Sequence, residues 1–295
     1  MREIYLVDAS IYIFRAWFSM PDSIQDNKGR PVNAVYGYVH FLCQLIERQS
    51  PAYIAVAFDE SLKGSFRNKI YPDYKANRES APPELKRQFK LCRDITRLMG
   101  IAEYASKTHE ADDIIGTISH RLRRNDFRSI IVSADKDLAQ LLKPGDQYWN
   151  FAKDEVYLHR DIRRNFGVHP EAIVDLLALA GDSVDNIPGV PGIGKKTAIS
   201  LLDKYKDLKT LYAKLDSLPG SGLRGASRLY DLLHENRDQA FLSQRLAKID
   251  CNTPIRAGVR CVKRQQVDIN YLQKWFKRQG FGDRLYKRIE SVLNH

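Results

Sequence analysis

The sequence predicts an α/β fold with a parallel-type central sheet and flanking helices, followed by a helical domain. Three short runs, residues 4–7, 53–58 and 129–133, are rich in β-branched and aromatic residues and lack polar alternation. Such runs are typical of strands that are covered on both faces. Apolar residues at helical spacing lie between them, at residues 35–48, 83–99 and 110–124. This alternation of strands and helices favours a parallel sheet.

Length and composition are those of a globular protein with one large domain or two smaller ones. The chain has 295 residues, of which 43% are hydrophobic and 28% charged. No apolar run approaches the roughly 20 residues that span a bilayer, and the first run is too short for a signal peptide. The four cysteines are scattered without a C-x-x-C pair, which argues against disulfides and structural zinc. We therefore expect a cytoplasmic protein without membrane contact.

Acidic residues follow each of the three predicted strands. Asp8 ends the first run, Asp59 ends the second, and Asp135 and Asp137 follow the third. Sites in open parallel sheets form at the carboxyl ends of the strands, so these side chains are expected to share one pocket. A single Asp after a strand is ordinary turn chemistry, but three in succession favour a functional cluster.

A further acidic group opens the predicted helix at 110–124. Glu110, Asp112 and Asp113 fall in or near its first turn, where the helix dipole stabilises each anion by only about 0.3–1 kcal/mol. Such a group is stable either when it is solvated or when cations bind to it. Taken alone, this stretch leaves both interpretations open.

The segment 63–90 interleaves basic and aromatic side chains after Asp59. Patterns of this kind bind phosphates and stacked bases, so we interpret the segment as a basic gateway to the acidic pocket. The alternative is a solvated, partly helical loop. The residues are Lys63, Arg67, Lys69, Lys75, Arg78, Lys86, Arg87 and Lys90, with Phe66, Tyr71 and Tyr74 among them.

From residue 170 the chain is mainly helical, with helices predicted at 171–180, 198–205, 208–215, 225–235 and 238–246, a short strand in 254–262 and a basic helical tail at 269–293. A helix-hairpin-helix is predicted at 186–205. Its glycines permit tight turns, and the helix that they open offers free N–H groups to a DNA phosphate. An ordinary helix connection is the alternative. The predicted DNA contacts are Gly189, Gly192, Ile193, Gly194, Lys195, Lys196 and Thr197.

Nine carboxylates are candidate metal ligands. They offer oxygen donors without His or Cys, which suits Mg²⁺ or Mn²⁺ rather than zinc. Nine are more than one Mg²⁺ uses, but they suit two ions with outer partners, an arrangement that hydrolyses phosphodiesters. The rest of the chain is then strongly basic, as expected of a surface that binds a polyanion. The nine are Asp8, Asp59, Glu110, Asp112, Asp113, Asp135, Asp137, Asp182 and Asp185.

Several motifs occur together: Leu-Val-Asp-Ala-Ser at 6–10, Tyr-Pro-Asp-Tyr-Lys-Ala-Asn-Arg at 71–78, Glu-Ala-Asp-Asp at 110–113, Asp-Lys-Asp at 135–137, and the segment 181–198. In this order they resemble the 5′–3′ exonuclease domain of bacterial DNA polymerase I, within the flap endonuclease superfamily and its PIN-like nuclease core. The resemblance covers residues 3 to 250 or so. Ala9 and Ala134 stand where Gly is frequent in the family, and neither change removes a ligand.

The resemblance implies two Mg²⁺ sites and a catalytic gateway. The first site matches Asp8, Asp59, Glu110 and Asp112, the second matches Asp135, Asp137, Asp182 and Asp185, and Asp113 lies near both. Arg67, Lys75 and Arg78 match the gateway residues that act on the scissile phosphate, and Tyr74 would stack on a terminal base. The hairpin matches one that grips duplex DNA and holds K⁺ through backbone carbonyls. Mn²⁺ is an expected substitute for Mg²⁺.

We therefore predict a Mg²⁺-dependent 5′–3′ exonuclease and 5′-flap endonuclease that cuts DNA by a two-metal mechanism in replication and repair. The nuclease core is predicted at 1–172 and the helical DNA-binding region at 173–295. Expected substrates are DNA 5′ ends, flaps, gaps and nicks, and RNA 5′ ends as well. The protein is expected to be a free-standing monomer with a DNA polymerase partner. The alternatives are a structure-selective DNA-binding protein with a weakened active site and an acidic-pocket ribonuclease of similar fold.

Overall fold

The computed structural model describes residues 1–60 and 64–293. In it, a six-stranded, mostly parallel sheet lies between layers of helices, which confirms the predicted α/β fold. Lys63, the first residue of the predicted gateway, lies outside the described residues. Of the helices described, none is both long and apolar enough to cross a membrane.

The sheet places the three predicted strands side by side. Its strands are β1 (Arg2–Asp8), β2 (Ile54–Asp59), β3 (Ala102–Ser106), β4 (Phe127–Val132), β5 (Gln147–Asn150) and β6 (Glu155–Leu158). Their spatial order is β3-β2-β1-β4-β5-β6, and all neighbours are parallel except β5 and β6. Tyr5 of β1 pairs with Ile54 on one side and Ile130 on the other. The carboxyl ends of β1, β2 and β4 therefore meet at one edge.

Helices connect the strands and fill the C-terminal half. In chain order they are α1 (Ala9–Ser19), α2 (Asn33–Gln49), α3 (Phe66–Ile70), α4 (Pro83–Leu98), α5 (Ala111–Arg123), α6 (Ile162–Phe166), α7 (Ile173–Ala180), α8 (Lys195–Tyr205), α9 (Leu208–Ala213), α10 (Ala226–Glu235), α11 (Arg237–Ala247), α12 (Val259–Val262), α13 (Ile269–Gln279) and α14 (Asp283–Leu293). Short connections after β1 and before α5 bring the starts of α1 and α5 to the same edge of the sheet.

Alternate residues of β1 enter two different cores. Ile4 and Leu6 belong to the core built with α5 to α11, whereas Tyr5 and Val7 belong to the core under α1, α2, α4, α13 and α14. Both faces of the strand are covered, which is why its sequence lacks polar alternation.

The C-terminal region differs from its prediction in two of its elements. The tail at 269–293 is two helices, because Gly280 ends α13 in left-handed backbone at φ 79°. Residues 254–262 contain the short helix α12 where a strand was expected. The region 173–295 also divides between the two cores: α7 to α11 pack on one face of the sheet, and α13 and α14 pack on the other.

Candidate active site

Two strand-end carboxylates are held by the helix starts that follow them. Asp8, at the end of β1, caps α1 by accepting a hydrogen bond from Ser10 N at 3.2 Å. Asp59, at the end of β2, accepts from Ser10 Oγ and from Ala111 N, each at 2.9 Å. The first turns of α1 and α5 thus converge on the carboxyl edge of the sheet.

The acidic residues after β4 are linked to Asp8 through Ser133. The Ser133 hydroxyl donates to Asp8 Oδ2 at 3.0 Å and accepts from Asp135 N at 2.9 Å. Asp135 Oδ1 in turn accepts from Asp137 N at 2.9 Å, at the start of the 3₁₀ helix Lys136–Leu141. One buried serine therefore brings residues that are 125 positions apart into the same site.

A first group of carboxylates at this edge is mutually repulsive, and Asp8 within it is buried. Burial and the charges of Asp59 and Asp135 raise the pKa of Asp8 to about 7. Burial and the charges of Asp135, Asp8 and Asp59 also raise the pKa of Asp112 well above its usual value. This excess of negative charge is what a bound cation would offset.

A second group overlaps with the first at Asp135. Burial and the charges of Asp135, Asp182 and Asp185 raise the pKa of Asp137 to about 7. Burial, together with the charge of Asp185, raises the pKa of Asp135 itself. Asp182 and Asp185 come from the loop after α7, so the helical region contributes directly to the site. Seven of the nine predicted metal ligands thus interact in two groups, and Asp135 belongs to both.

Glu110 and Asp185 are neutralised by the basic segment. Lys75 Nζ lies 2.8 Å from Glu110 Oε2 and 3.5 Å from Asp185 Oδ2. Arg78 forms an ion pair with the other oxygen of Asp185. Burial lowers the pKa of the Lys75 ammonium, but the charges of Glu110 and Asp185 outweigh burial and hold that pKa well above its usual value. Two of the predicted gateway cations therefore lie directly against the carboxylates.

Backbone groups also hold the turn around Lys75 against the loop after α7. Lys75 N donates to Asp185 O at 3.0 Å, and Lys75 adopts left-handed backbone at φ 54°. Asn186 Nδ2 donates to Asp73 O at 2.6 Å, and Asn186 is itself left-handed at φ 56°. The basic turn is thus docked on the acidic loop by main-chain contacts as well as by ion pairs.

Arg67 and Asp113 form a buried ion pair. Arg67 is 2% exposed, and its guanidinium donates to both oxygens of Asp113 at 2.7 Å and to the carbonyls of Leu246 and Lys248 at 2.8 Å. Asp113 has no exposed surface and also accepts from Glu110 N at 3.0 Å. These contacts contradict the gateway role predicted for Arg67 and the metal-ligand role predicted for Asp113, because both side chains are already engaged.

Tyr74 is also buried, contrary to its predicted stacking on a DNA base. It is 3% exposed and packs with Ile187 and Leu246 in a small apolar cluster. Its hydroxyl donates to Glu110 Oε2 at 3.1 Å and to Asp185 Oδ2 at 3.2 Å. Tyr74 therefore positions two carboxylates of the site and offers no free ring face for stacking.

The predicted hairpin joins α7 to α8. Gly189 has φ 63°, and a Cβ there would lie 2.3 Å from Gly181 N, so only glycine allows this close approach of two backbone segments. Gly189 N donates to Ser243 Oγ at 3.0 Å, which fixes the hairpin on α11. Gly194 caps α8, and nothing lies within 4 Å of the place that a Cβ would take.

The hairpin residues divide into exposed and buried side chains. Gly192, Lys195 and Lys196 are exposed, and Thr197 is half-buried. Ile193 is 3% exposed and packs in the core with α5 and α8. The DNA contact predicted for Ile193 is therefore restricted to its backbone.

Two serines belong to the site although they were not predicted as site residues. Ser10 orients Asp59, and Ser133 orients Asp8, through the hydrogen bonds given above. Ser10 stands two residues after Asp8, and Ser133 stands two residues before Asp135. A serine two positions from a strand-end Asp is the sequence signal that identifies them.

The donor set fits hard divalent cations. In the described part of the chain, no three or more His, Cys, Asp or Glu side chains are already arranged to hold a metal ion. The converging side chains nevertheless offer carboxylate oxygens only, and burial and mutual repulsion raise the pKa values of Asp8 and Asp137. A site of this kind gains stability when cations replace the bound protons.

Comparison with known proteins extends over most of the chain. The 5′-3′ exonuclease N-terminal resolvase-like domain matches residues 3–167, and the 5′-3′ exonuclease C-terminal SAM fold matches residues 168–270. The 5′-3′ exonuclease of Aquifex aeolicus is 34% identical over 274 residues, which cover 93% of this chain and 91% of that protein. DNA polymerase I of Bacillus caldotenax is 36% identical over 97% of this chain and 32% of the polymerase.

The chain thus spans about a third of the length of the DNA polymerase I relatives that it matches. Among solved structures, the bacteriophage T5 flap endonuclease in a pseudo-enzyme–product complex with DNA and metal ions matches with a TM-score of 0.67 at 22% identity, over 100% of both chains. That likeness shows a common fold. The two domain matches and the Aquifex relative show more: the chain belongs to the 5′-3′ exonuclease family.

Proposed function

We propose that the protein is a divalent-metal-dependent nuclease that cuts DNA at 5′ ends and at the base of 5′ flaps. The observation that carries the proposal is the convergence of carboxylates from three strand ends and the loop after α7 at one edge of the sheet. Burial and mutual repulsion raise the pKa values of several of them, which supports the proposal that the site binds cations.

Two neighbouring sets of ligands are proposed. One consists of Asp8, Asp59, Glu110 and Asp112, and the other of Asp135, Asp137, Asp182 and Asp185. When a pair of divalent ions is bound, it would supply Lewis-acid activation of water and would neutralise charge on the phosphodiester. Oxygen-only donors are the reason for proposing Mg²⁺, with Mn²⁺ as a substitute.

Lys75 and Arg78 are the proposed contacts to the scissile phosphate. Both side chains lie against the carboxylates, and Arg78 is 34% exposed, so its guanidinium already reaches solvent. Once Glu110 and Asp185 are engaged elsewhere, both cations are free to bind phosphate oxygens. A guanidinium can bind two such oxygens at once, which orients the phosphate as well as attracting it.

The hairpin is the proposed anchor for duplex DNA. The exposed side chains of Lys195 and Lys196 and the open backbone at Gly194 lie at the start of α8. Free N–H groups and the positive end of the helix dipole favour phosphate there. Phosphate contacts carry no base information, so recognition is expected to depend on DNA structure. K⁺ bound by hairpin carbonyls belongs to the same proposal.

The proposed substrates are 5′ ends, flaps, gaps and nicks in DNA, and RNA 5′ ends. The relatives that carry this region at about a third of their length are DNA polymerases, which supports a role beside a polymerase in replication and repair. We propose that the protein acts as a monomer in the cytoplasm.

A labelled 5′-flap DNA tests the proposal. We expect cleavage near the flap junction in Mg²⁺, none in EDTA, and recovery when excess Mg²⁺ is added. Asp135→Asn removes charge from the residue that both carboxylate groups share, so it should lower the cleavage rate at least about a hundredfold. Binding of the flap in EDTA should stay within about twofold of wild type, since Asp135 is not among the proposed contacts to DNA.

The matched control is Asp238→Asn, which neutralises an exposed acid on α11 and should leave cleavage unchanged. A wild-type rate in the Asp135→Asn variant would refute the two-ion site. A wild-type protein that binds flap DNA but cuts it in no divalent ion would favour the DNA-binding alternative.

A further inference from the structure

The first half of α11 is attached to the hairpin. Gln239 and Ser243 are four residues apart, so their side chains lie on the same face of this helix. Gln239 Nε2 donates to Gly189 O at 2.8 Å, and Ser243 Oγ accepts from Gly189 N at 3.0 Å. Ser243 has no exposed surface, so this attachment is shielded from water. Both backbone groups of Gly189 are thus bound by α11.

The far end of α11 is attached to elements that carry candidate metal ligands. The last carbonyls of a helix have no partner within the helix, and here side chains from other elements bind them. Arg67 binds two of the carbonyls in residues 246–248, as described above. Gln140 Nε2 donates to Ala247 O at 3.1 Å, and Gln140 Oε1 accepts from Ile249 N at 3.0 Å. Both side chains therefore fix the end of α11 from outside.

Gln140 connects α11 to the acidic residues after β4. It belongs to the 3₁₀ helix Lys136–Leu141, which Asp135 caps and which contains Asp137. Residues three apart in a 3₁₀ helix lie on the same side, so Gln140 and Asp137 share one side of this short element. A movement of Gln140 therefore moves the carboxylates at the start of the same helix.

The middle of α11 is attached to α7. Gln244 Nε2 donates to Asp175 Oδ1 at 2.6 Å, and Asp175 also accepts from Leu208 N at 3.0 Å. Asp175 is buried, and α7 leads into the loop that carries Asp182 and Asp185. One helix is therefore bonded along its length to the hairpin, to α7 and to the element that carries Asp137.

We propose that α11 is a spacer that sets the position of the cut relative to the end of the duplex. Gln239 and Ser243 at one end of the spacer, and Gln140 at the other, are its positioning residues. This role rests on the proposed nuclease function and on the proposed duplex anchor at the hairpin. A duplex held at the hairpin presents one phosphodiester to the metal ligands, and the length and attachments of α11 decide which one.

The dimensions of helix and DNA make this spacing decisive. Gln239 and Ala247 are eight positions apart. At about 1.5 Å per residue they are separated by about 12 Å along the helix. Successive nucleotides in one strand of B-DNA are about 3.4 Å apart along the axis. A movement of the hairpin by that amount relative to the carboxylates moves the cut by one nucleotide, so a single cleavage position requires both ends of α11 to stay attached.

Mapping the cut at nucleotide resolution tests this role. The full chain cleaves a flap DNA labelled at its 5′ end in Mg²⁺, and the labelled products are sized on a denaturing gel. We expect the wild type to cut mainly at one position. In Ser243→Ala and in Gln140→Ala, products about one or two nucleotides longer or shorter should gain about fivefold relative to the main product. The reason is that a shifted complex no longer has to break the hydrogen bond that the substitution removes.

Gln239→Ala keeps the test decisive if the buried variants do not fold, because Gln239 is only half-buried. It should spread the products as Gln140→Ala does, although the two residues lie at opposite ends of the spacer. The matched control is Tyr212→Phe, which removes a hydrogen bond to Leu233 O but keeps the ring on Phe241 of α11. The control should cut at the wild-type position.

The ratio of products separates positioning from stability. A purely structural role would lower the melting temperature and leave that ratio unchanged. Wild-type ratios in all three spacer variants overturn the inference, as does a spread confined to Gln140→Ala, which would be a local effect on Asp137. An equal spread in Tyr212→Phe overturns it as well.

Cleavage by the wild type separates this role from the proposed function. A wild type that cuts no flap DNA in any divalent ion refutes the nuclease proposal, and the role of α11 falls with it. A wild type that cuts mainly at one position, with spacer variants that do the same, refutes only the role of α11.

Discussion

Arg67 joins three parts of the active site with one guanidinium. It belongs to α3, binds Asp113 in the first turn of α5, and contacts carbonyls at the end of α11. Asp113 also accepts from Asp250 N at 2.8 Å. Because α5 carries Asp112 and α11 holds the hairpin through Ser243, the pair fixes the acidic end of α5 relative to the hairpin.

Loss of Arg67 should therefore destabilise the fold. Arg67→Ala leaves Asp113 buried without its partner, which costs about 3–5 kcal/mol in the free energy of unfolding. Arg67→Lys should recover little, because an ammonium cannot replace two bonds to the carboxylate and two to carbonyls. Urea denaturation followed by circular dichroism measures both.

Arg78→Ala is the control for Arg67. Its ion pair is partly exposed, so the free energy of unfolding should change by about 0–1 kcal/mol, while cleavage slows because Arg78 faces the carboxylates. Equal losses of stability in the Arg67 and Arg78 variants would contradict the distinction between a structural and a gateway arginine.

The direction of the side chains in the basic segment 63–90 could not be predicted from the sequence. The strand-end positions of Asp8, Asp59 and Asp135 could be, because parallel strands fix where their carboxyl ends lie. Arg67 is buried through contacts with residues 179 and 181 positions away, and Tyr74 through Asp185, 111 positions away. A pattern of alternating basic and aromatic residues contains no information on such distant partners.

At the scale of elements, the hairpin uses its glycines in two different ways. Gly189 is required by the fold, since its φ is 63° and a Cβ would press on the backbone of Ala180 and Gly181. Gly194 is not, since its φ of −87° suits any residue and the space beside it is empty. The open space at Gly194 lies on the side where DNA is proposed to bind.

Alanine at these two positions should therefore affect different properties of the protein. Gly189→Ala should lower the free energy of unfolding by about 1–3 kcal/mol or more, because left-handed backbone is strained for alanine and the clash is with main chain. Gly194→Ala should keep wild-type stability but weaken binding of duplex DNA, as its methyl group would hold the phosphate away from the N–H groups of α8.

Thermal melts and DNA titrations in EDTA separate the two cases. Gly194→Ala with wild-type affinity would remove this glycine from the proposed DNA contacts. Gly189→Ala with wild-type stability would show that the hairpin can rearrange, against the close backbone packing seen here.

Strands could be predicted from the sequence where both of their faces are covered by helices. The strands β1, β2 and β4 are recognised by continuous apolar runs because helices cover both faces. The strands β3, β5 and β6 lie towards the edges of the sheet. β3 is half-buried along its whole length, and its sequence Ala-Glu-Tyr-Ala-Ser has no apolar run to detect. The prediction of a single tail helix was wrong because the break between α13 and α14 depends on one left-handed residue, Gly280.

At the scale of the whole molecule, the position of the site is explained by the parallel direction of the central strands and by the loop after α7. All central strands are parallel, so their acidic ends meet at one edge, and the loop after α7 brings Asp182 and Asp185 to the same place. The helices α13 and α14 then return to pack on the opposite face, with Phe276 and Ile289 almost fully buried. The acidic cluster thus belongs to a chain whose net charge is +11.

This arrangement makes the stability of the metal-free protein depend on pH. Burial and neighbouring carboxylates raise the pKa of Asp8 and Asp137 from the ordinary 3.8 to about 7 in the folded state. The folded state therefore binds protons that the unfolded state releases, and the resulting stability is complete below about pH 4 and lost as pH rises through about 7. The melting temperature in EDTA should accordingly fall between about pH 5 and pH 8.

Mg²⁺ should reverse this loss, because a bound cation favours the ionised carboxylates. We expect the ion to raise the melting temperature more at about pH 8 than at about pH 5, and Asp8→Asn/Asp137→Asn to flatten the profile in EDTA, since neither amide titrates. Asp238→Asn, on the exposed face of α11, should keep the wild-type profile. A melting temperature in EDTA that rises over this range would show that the carboxylates are not held together at the sheet edge, and the proposed metal site would lose its physical basis.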